Sequence, residues 1–332
     1  MAAGARVALV AVAMTAVGLA AAVNGVAAAP PGFPAPLVPA DNPMSPARVA
    51  LGEQLFGDRR LSVTGEYACV SCHDPVRAFS DAQPRAVGAQ GDKLRRNSPS
   101  ILYSAWNPSL GWDPPGSPTL EKQMLTPLFG KHPVELGLAR IESRVLAQLQ
   151  ADGALRSRFE EAFPGERQPL TMDNVVRAIA TYERSLGEGS SAFDRYVFDA
   201  DRGGMSPSAL RGLELFFNSR PGCVDCHSGM AFSGSLRSVA QPDEAPRFAD
   251  NGQDTEGPAR VPSLRNVAVT APYMRDGSLP TLAAVIDHYD RGSPGVQPPL
   301  PALHLTREEK ADLQAFLESL TDRPYEPLLS RP

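Results

Sequence analysis

All four cysteines of the 332-residue chain fall into two Cys-x-x-Cys-His motifs, Cys69-Val70-Ser71-Cys72-His73 and Cys223-Val224-Asp225-Cys226-His227. Two thiols on one turn can each bond a vinyl group of the same porphyrin, and the adjacent histidine then stands under the iron as its proximal ligand. A thiolate zinc site takes four ligands, and a redox dithiol does not require the histidine, so both chemistries account for less of the pattern. No thiol is left for disulfides. Besides His73 and His227 the chain has only His132, His288 and His304, which limits the imidazoles open to any sixth coordination position.

The motifs sit in a short, divergent internal repeat. Ser45-Pro46 and Gly52-Glu53-Gln54-Leu55-Phe56 precede the first motif; Ser206-Pro207 and Gly212-Leu213-Glu214-Leu215-Phe216 precede the second. Each copy reads as a helix with a serine N-cap and proline at its first position, running into the loop that carries the cysteines. Two related domains follow, 30–203 and 204–332, divided near Gly203-Gly204. Leu138 to Phe163 and Met172 to Leu186 carry apolar residues at helical spacing. The last helix starts at Thr306 with a capping box to Glu309 and buries Leu313, Phe316, Leu317 and Leu320. Gln241 to Pro262 is polar and reads as a long loop. The fold class is mainly α, two haem domains of cytochrome c type with little β structure.

Composition sets the compartment and excludes some partners. With 42% hydrophobic and 21% charged residues the chain is globular, and its net charge of -5, without runs of one sign, leaves no electrostatic footprint for nucleic acid. The 33 prolines, about twice the ordinary share of ~5%, point to many irregular connections. Residues 1–29 have Arg6, an apolar run from Val7 to Val23 and small residues at Ala27 to Ala29, the pattern of a secretory signal peptide. An uncleaved anchor is the alternative. The mature chain is expected in the periplasm, with no membrane span after cleavage.

Over residues 45 to 320 the sequence resembles the bacterial dihaem cytochrome c peroxidases, and within them the MauG-like branch. The resemblance rests on Leu51-Gly52-x-x-Leu55-Phe56, Cys69 to Pro75, Arg96-Asn97-Ser98-Pro99, Trp112-Asp113, Leu120-Glu121-Lys122-Gln123, Pro133-Val134-Glu135-Leu136-Gly137, Cys223 to His227, and Ala271-Pro272-Tyr273-Met274-Arg275-Asp276-Gly277-Ser278. It implies two covalently bound haem c groups, the first meeting hydrogen peroxide and the second passing electrons or storing oxidising equivalents. Peroxidase members carry a histidine shortly after the first motif that closes the peroxidatic haem. Here none occurs from Asp74 to Lys131, so the first haem is expected to be five-coordinate as made, with His132 the one histidine able to reach back.

The resemblance also implies roles for single residues. Glu135 matches the catalytic glutamate that moves the peroxide proton, and Gln123 the distal glutamine. Trp112 occupies the place of the tryptophan between the haems; Trp106 is the lesser candidate relay. The family's axial position on the second haem, methionine or tyrosine, falls on Tyr289. Helical spacing of Leu282, Val285, Ile286 and Tyr289 also puts Tyr289 on a buried stripe and His288 off it, with Met274 and His288 as other ligands to weigh. A phenolic oxygen favours ferric and higher states, a thioether the reduced one. Asn97, Thr270 and Pro272 match positions that give oxygens to one Ca2+ between the domains. Arg275 departs from the family, standing where histidine is frequent; an arginine there can pair with a haem propionate.

These readings converge on a periplasmic dihaem c-type oxidoreductase that reduces hydrogen peroxide with electrons from a small redox protein, a cytochrome c or a cupredoxin. MauG-like oxidation of a partner protein or substrate through a high-valent dihaem state, and plain electron transfer, are the alternatives.

Overall fold

The computed structural model describes residues 29–113, 116–218, 220–234, 248–249, 259–292 and 301–330. The signal-like segment, apart from Ala29, lies outside them, as does most of the stretch from Gln241 to Pro262. The helices are α1 (Pro46–Phe56), α2 (Leu120–Phe129), α3 (Glu142–Ala151), α4 (Gly153–Ala162), α5 (Met172–Arg184), α6 (Ala192–Phe198), α7 (Pro207–Phe216), α8 (Cys223–Cys226), α9 (Leu282–Asp290) and α10 (Arg307–Glu318). The stretch expected to be loop throughout instead contributes two short antiparallel strands, β1 (Phe248–Ala249) and β2 (Ala259–Arg260). Pairing satisfies backbone groups that a purely irregular path would leave open. The molecule is mainly helical, and among the described residues no helix is long and apolar enough to cross a membrane.

Capping fixes where the helices begin. Ser45 Oγ accepts from Arg48 N at the head of α1 and Ser206 Oγ from Ala209 N at the head of α7, each with proline in the first turn. α10 opens on the Thr306–Glu309 capping box. The glycines of the repeat explain how the helices pack. A Cβ at Gly52 would lie 2.0 Å from Ala178 O, and one at Gly212 would lie 1.9 Å from Asp312 O. α1 therefore docks backbone-to-backbone on α5, and α7 does the same on α10.

The repeat extends well past those helices. Ala-Phe-Ser recurs at 78–80 and 231–233, Pro-Ser at 99–100 and 262–263, and Pro-Thr-Leu at 118–120 and 280–282. Ser100 Oγ donates to Ala78 O and Ser263 Oγ to Ala231 O, both at 2.7 Å. Tyr103 and Asn266 follow at matching places, both left-handed (φ 62 and 59). Their amides donate to Leu186 O and Leu320 O, each at 3.0 Å. Isolated bridges Leu110–Ser117 and Tyr273–Leu279 then lead into α2 and α9. In this correspondence Asn97 matches Arg260, Trp112 matches Arg275, and Pro127 on α2 matches Tyr289 on α9.

Two clusters of buried side chains form the cores, one built on α1 to α5, the other on α6, α7, α9 and α10. Phe193 of α6, N-terminal to Gly203-Gly204, packs in the second. Polar groups join the halves: Asn97 N donates to Arg275 O (2.8 Å), and at the matching place Arg260 N donates to Trp112 O (2.9 Å). Between the cores the Arg265 guanidinium pairs with Asp194 at 2.7 Å, among the rings of Phe33, Tyr103, Phe193 and Phe232.

Candidate functional site

A cavity of about 420 Å³ opens beside the first motif, in the size range of cofactor sites. Its wall includes Cys69, Cys72, His73, Asn97, Trp112, Gln123, Pro127, His132, Glu135, Glu183 and Arg260. The chain turns sharply after the motif, with Ala78 and Phe79 left-handed, and this brings Phe79 O to 3.2 Å from His73 Nδ1. His227 repeats the device: its Nδ1 lies 2.8 Å from Phe232 O. A ring whose Nδ1 donates to a carbonyl keeps the Nε2 lone pair for a metal. Burial lowers the pKa of both imidazoles, which holds them in that neutral form. Burial also pushes the Cys72 thiol up to about 12 and Cys223 to about 11. Among the described residues no group of three or more His, Cys, Asp or Glu is arranged to hold a bare metal ion. Paired thiols at a cavity wall, with an oriented imidazole beside them, fit a covalently held haem.

Gln123 and Pro127 are one turn apart on α2, which Thr119 caps through its side chain to Lys122 N. Glu135 arrives on a strap tied down on each side: Leu136 N donates to Pro127 O (2.9 Å), Ala89 N to Glu135 O (2.7 Å), and Val63 N to Leu136 O (2.8 Å). Gly88 permits this approach, since a Cβ there would stand 1.9 Å from Val134 O. Burial raises the Glu135 carboxyl above the usual range, and no other cause contributes. His132 reaches the cavity rim but is itself exposed.

Trp112 closes the side of the cavity toward the second half. Its indole Nε1 donates to Asn97 O at 2.7 Å. Trp106 is instead a core residue, stacked edge-on with Phe33 and donating to Pro34 O. Asn97 Nδ2 donates to Gln83 O at 2.7 Å, and Thr270 Oγ1 to Val267 O. Pro272 begins the turn whose Arg275 carbonyl meets Asn97. The cavity thus gathers Cys69, Cys72, His73, Asn97, Trp112, Gln123 and Glu135, whereas Cys223, Cys226, His227, Thr270, Pro272 and Tyr289 lie outside its wall.

On α9 only Leu282 and Ile286 are buried; Val285, His288 and Tyr289 are half-exposed, so the stripe expected to bury Tyr289 is narrower than its spacing suggests. The second core takes in the Leu282–Ile286 row, and the Val285–Tyr289 row stands one step round the helix. The His288 and Tyr289 rings are 5.3 Å apart, nearly perpendicular.

Pro127, Glu183 and Arg260 on the cavity wall escaped the sequence reading. Glu183 falls on the apolar row of α5 with Val176 and Ile179, an acid at a core position, and that signal was available. Burial pushes it up to about 8. Arg260 sat in a polar stretch with nothing to distinguish it.

A family model described as Di-haem cytochrome c peroxidase matches residues 46–202. The chain is 34% identical over 299 residues to the methylamine utilization protein MauG of Methylorubrum extorquens, covering 86% of this chain and 81% of that one. It is 34% identical to the cytochrome-c peroxidase IdrP1 of Pseudomonas sp. (strain SCT), over 96% and 92% of the two chains. A solved MauG-like protein associated with microbial copper homeostasis superposes with a TM-score of 0.79 at 35% identity, covering 90% of this chain and 97% of that one. Sharing this much of their length and their fold, the chain belongs to the dihaem cytochrome c peroxidase and MauG family of oxidoreductases, whose members carry two haem c groups.

Proposed function

We propose that the chain reduces hydrogen peroxide at the cavity beside the first motif and feeds that site with electrons through the second. What carries this reading is an asymmetry between equivalent helices: α2 turns Gln123 and Pro127 to the cavity where α9 has Val285 and Tyr289. A proline offers iron no donor atom, whereas a phenolic oxygen is one. Cys69 and Cys72 would hold a haem, which would supply an iron for peroxide and redox chemistry. His73, its Nδ1 fixed by Phe79 O, would offer Nε2 to that iron. The Glu135 carboxyl, its proton affinity raised by burial, takes the proton from one peroxide oxygen and returns it to the other. The Gln123 amide orients the peroxide by hydrogen bonding. Trp112, pinned at its indole and its carbonyl, relays electrons between the halves. With two protons and two electrons consumed, each peroxide gives two waters. His227 and Tyr289 would hold the second haem, and a small cytochrome c or cupredoxin would supply the electrons.

Tyr289 and the MauG relatives support a second reading, oxidation of a partner protein, because a hard oxygen donor stabilises states above ferric. Asn97, Thr270 and Pro272 are proposed as calcium ligands, and the segment 1–29 as an export signal to the periplasm.

The test is the visible and EPR spectrum of the as-isolated ferric protein. One high-spin, five-coordinate haem is expected beside a low-spin one, and the high-spin signal should persist in His132→Ala. Two low-spin, six-coordinate haems would overturn the proposal. Steady-state turnover with peroxide and reduced cytochrome c then separates the two readings: negligible turnover beside a long-lived high-valent species favours the second.

A further inference from the structure

Arg260 is the exception among the deeply buried arginines of the described residues. Arg184 pairs with Glu121, Arg265 with Asp194 and Arg275 with Asp113, each at 2.7 Å. Arg260, 5% exposed, has no carboxylate partner among the described residues. Its backbone N donates to Trp112 O and its Nε to Gly111 O (2.8 Å), while Nη1 is buried with no hydrogen-bond partner. Burial alone pulls its pKa down to about 10, the mark of a guanidinium stripped of water and given no counter-charge. A buried charge left in that state is strongly unfavourable unless something pairs with it. Arg260 lines the cavity, so the missing anion belongs to what the cavity holds.

The anion has an evident source. A haem bonded through its vinyl groups to Cys69 and Cys72 has its two propionates at the opposite edge of the ring, and these are its only carboxylates. The other cavity arginines are placed differently: Arg95 is exposed and Arg96 pairs with Asp113 at 3.1 Å. We propose that Arg260, from the second half of the chain, is the counter-ion of a propionate on the haem attached in the first half. This rests on haem attachment at Cys69 and Cys72, not on peroxide reduction. Arg260 is then a positioning residue with two holds, the Gly111-Trp112 main chain and the propionate. It links the first haem to the Trp112 wall. The equivalent place in the first half is Asn97, a neutral amide, so the interface puts a guanidinium on one side of its near-symmetry and an uncharged oxygen donor on the other.

Spectroelectrochemical titration of the dihaem protein tests this with Arg260→Gln and Arg260→Lys, both haems confirmed by pyridine haemochrome. Removing a cation beside a propionate favours the ferric state. For Arg260→Gln the ferric-to-ferrous equilibrium constant of the first haem should move at least tenfold toward ferric, with the second haem within about twofold of wild type. Arg260→Lys should recover most of the shift. The resonance Raman propionate bending mode of the first haem should move in Arg260→Gln and return toward wild type in Arg260→Lys. Unchanged first-haem equilibrium and bending mode would overturn the assignment, and so would a shift confined to the second haem. If Arg260→Gln fails to assemble both haems, the lysine variant and the wild-type propionate band decide. A wild-type band at the frequency of an unpaired propionate would then refute the contact.

Discussion

Burial lifts two acids on one cavity, Glu183 with the nearby charges of Arg184 and Glu121 acting on it as well, yet their surroundings give them different work. Glu135 stands on a strap fixed to α2 and shares the cavity wall with Gln123. Replacing it with Gln keeps the shape and removes the exchangeable proton, so kcat/KM for peroxide should fall by about 10²–10⁴ with haem content unchanged. Stopped-flow mixing with peroxide measures this, and retention of wild-type rates would remove Glu135 from the chemistry. Glu183 lies on α5, where its carboxyl makes no hydrogen bond among the described residues and the second half has Leu317 at the matching place. Its pKa rises from 4.5 to about 8 on folding, so the fold favours the neutral form. The stability this confers is complete below pH 4.5 and is lost as pH climbs through 8. Glu135 and Asp322 shift in the same direction, so the readout is a difference. Across pH 5 to 8.5 the Tm of the wild type should drop further than that of Glu183→Gln. Parallel curves would show that Glu183 does not titrate in this window.

The helices repeat in pairs, and glycines set the closest contact of each pair. Gly212→Ala forces a methyl into Asp312 O and should destabilise the fold by about 1–3 kcal/mol or more in chemical denaturation, with Gly52→Ala doing the same to α1 on α5. Gly203→Ala, whose nearest neighbour would be 3.7 Å away, is the near-neutral control. Much of this level was legible beforehand. The serine caps, the Thr306 box and the Cys-x-x-Cys-His motifs are local signals, and local signals survive in a single sequence. Ala78-Phe79-Ser80 against Ala231-Phe232-Ser233 was equally readable, but the spacing from each histidine differs by one residue, so a fixed offset misses it. Arg260 was not legible, because its meaning comes from Gly111 and Trp112, far away in the chain. The width of the buried stripe on α9 was not legible either, since spacing gives a helix face but not what covers it. The pairing of α2 with α9 makes Tyr289 the counterpart of Pro127. Tyr289→Phe should therefore change the spectrum of the second haem and leave the high-spin signal of the first intact. An unchanged second-haem spectrum would reject Tyr289 as its ligand.

Polar groups join the two halves alongside apolar packing, in which Ala231 of the second half enters the first core. Two matching backbone bonds cross the interface, Asp113 takes both Arg96 and Arg275, and Asp322 accepts from Tyr103 of one half and Asn266 of the other. An interface of this kind is sensitive to whatever ion it holds. Asn97 Oδ1 and the carbonyls of Thr270 and Pro272 accept no hydrogen bond among the described residues, and hard oxygen donors with water completing the shell suit Ca2+. A cation bound only by the folded, docked halves stabilises them in proportion to the logarithm of its concentration over its Kd. The purified dihaem protein should therefore contain about one calcium per chain, and EGTA should lower its Tm and slow electron exchange between the haems. Added Ca2+, but not Mg2+, should restore both, because Mg2+ gives up its water shell reluctantly. Asn97→Ala should start at the lower Tm and ignore EGTA. Elemental analysis that finds no calcium, or a wild-type Tm indifferent to EGTA, would mean that the interface is held by the protein's own hydrogen bonds and ion pairs alone.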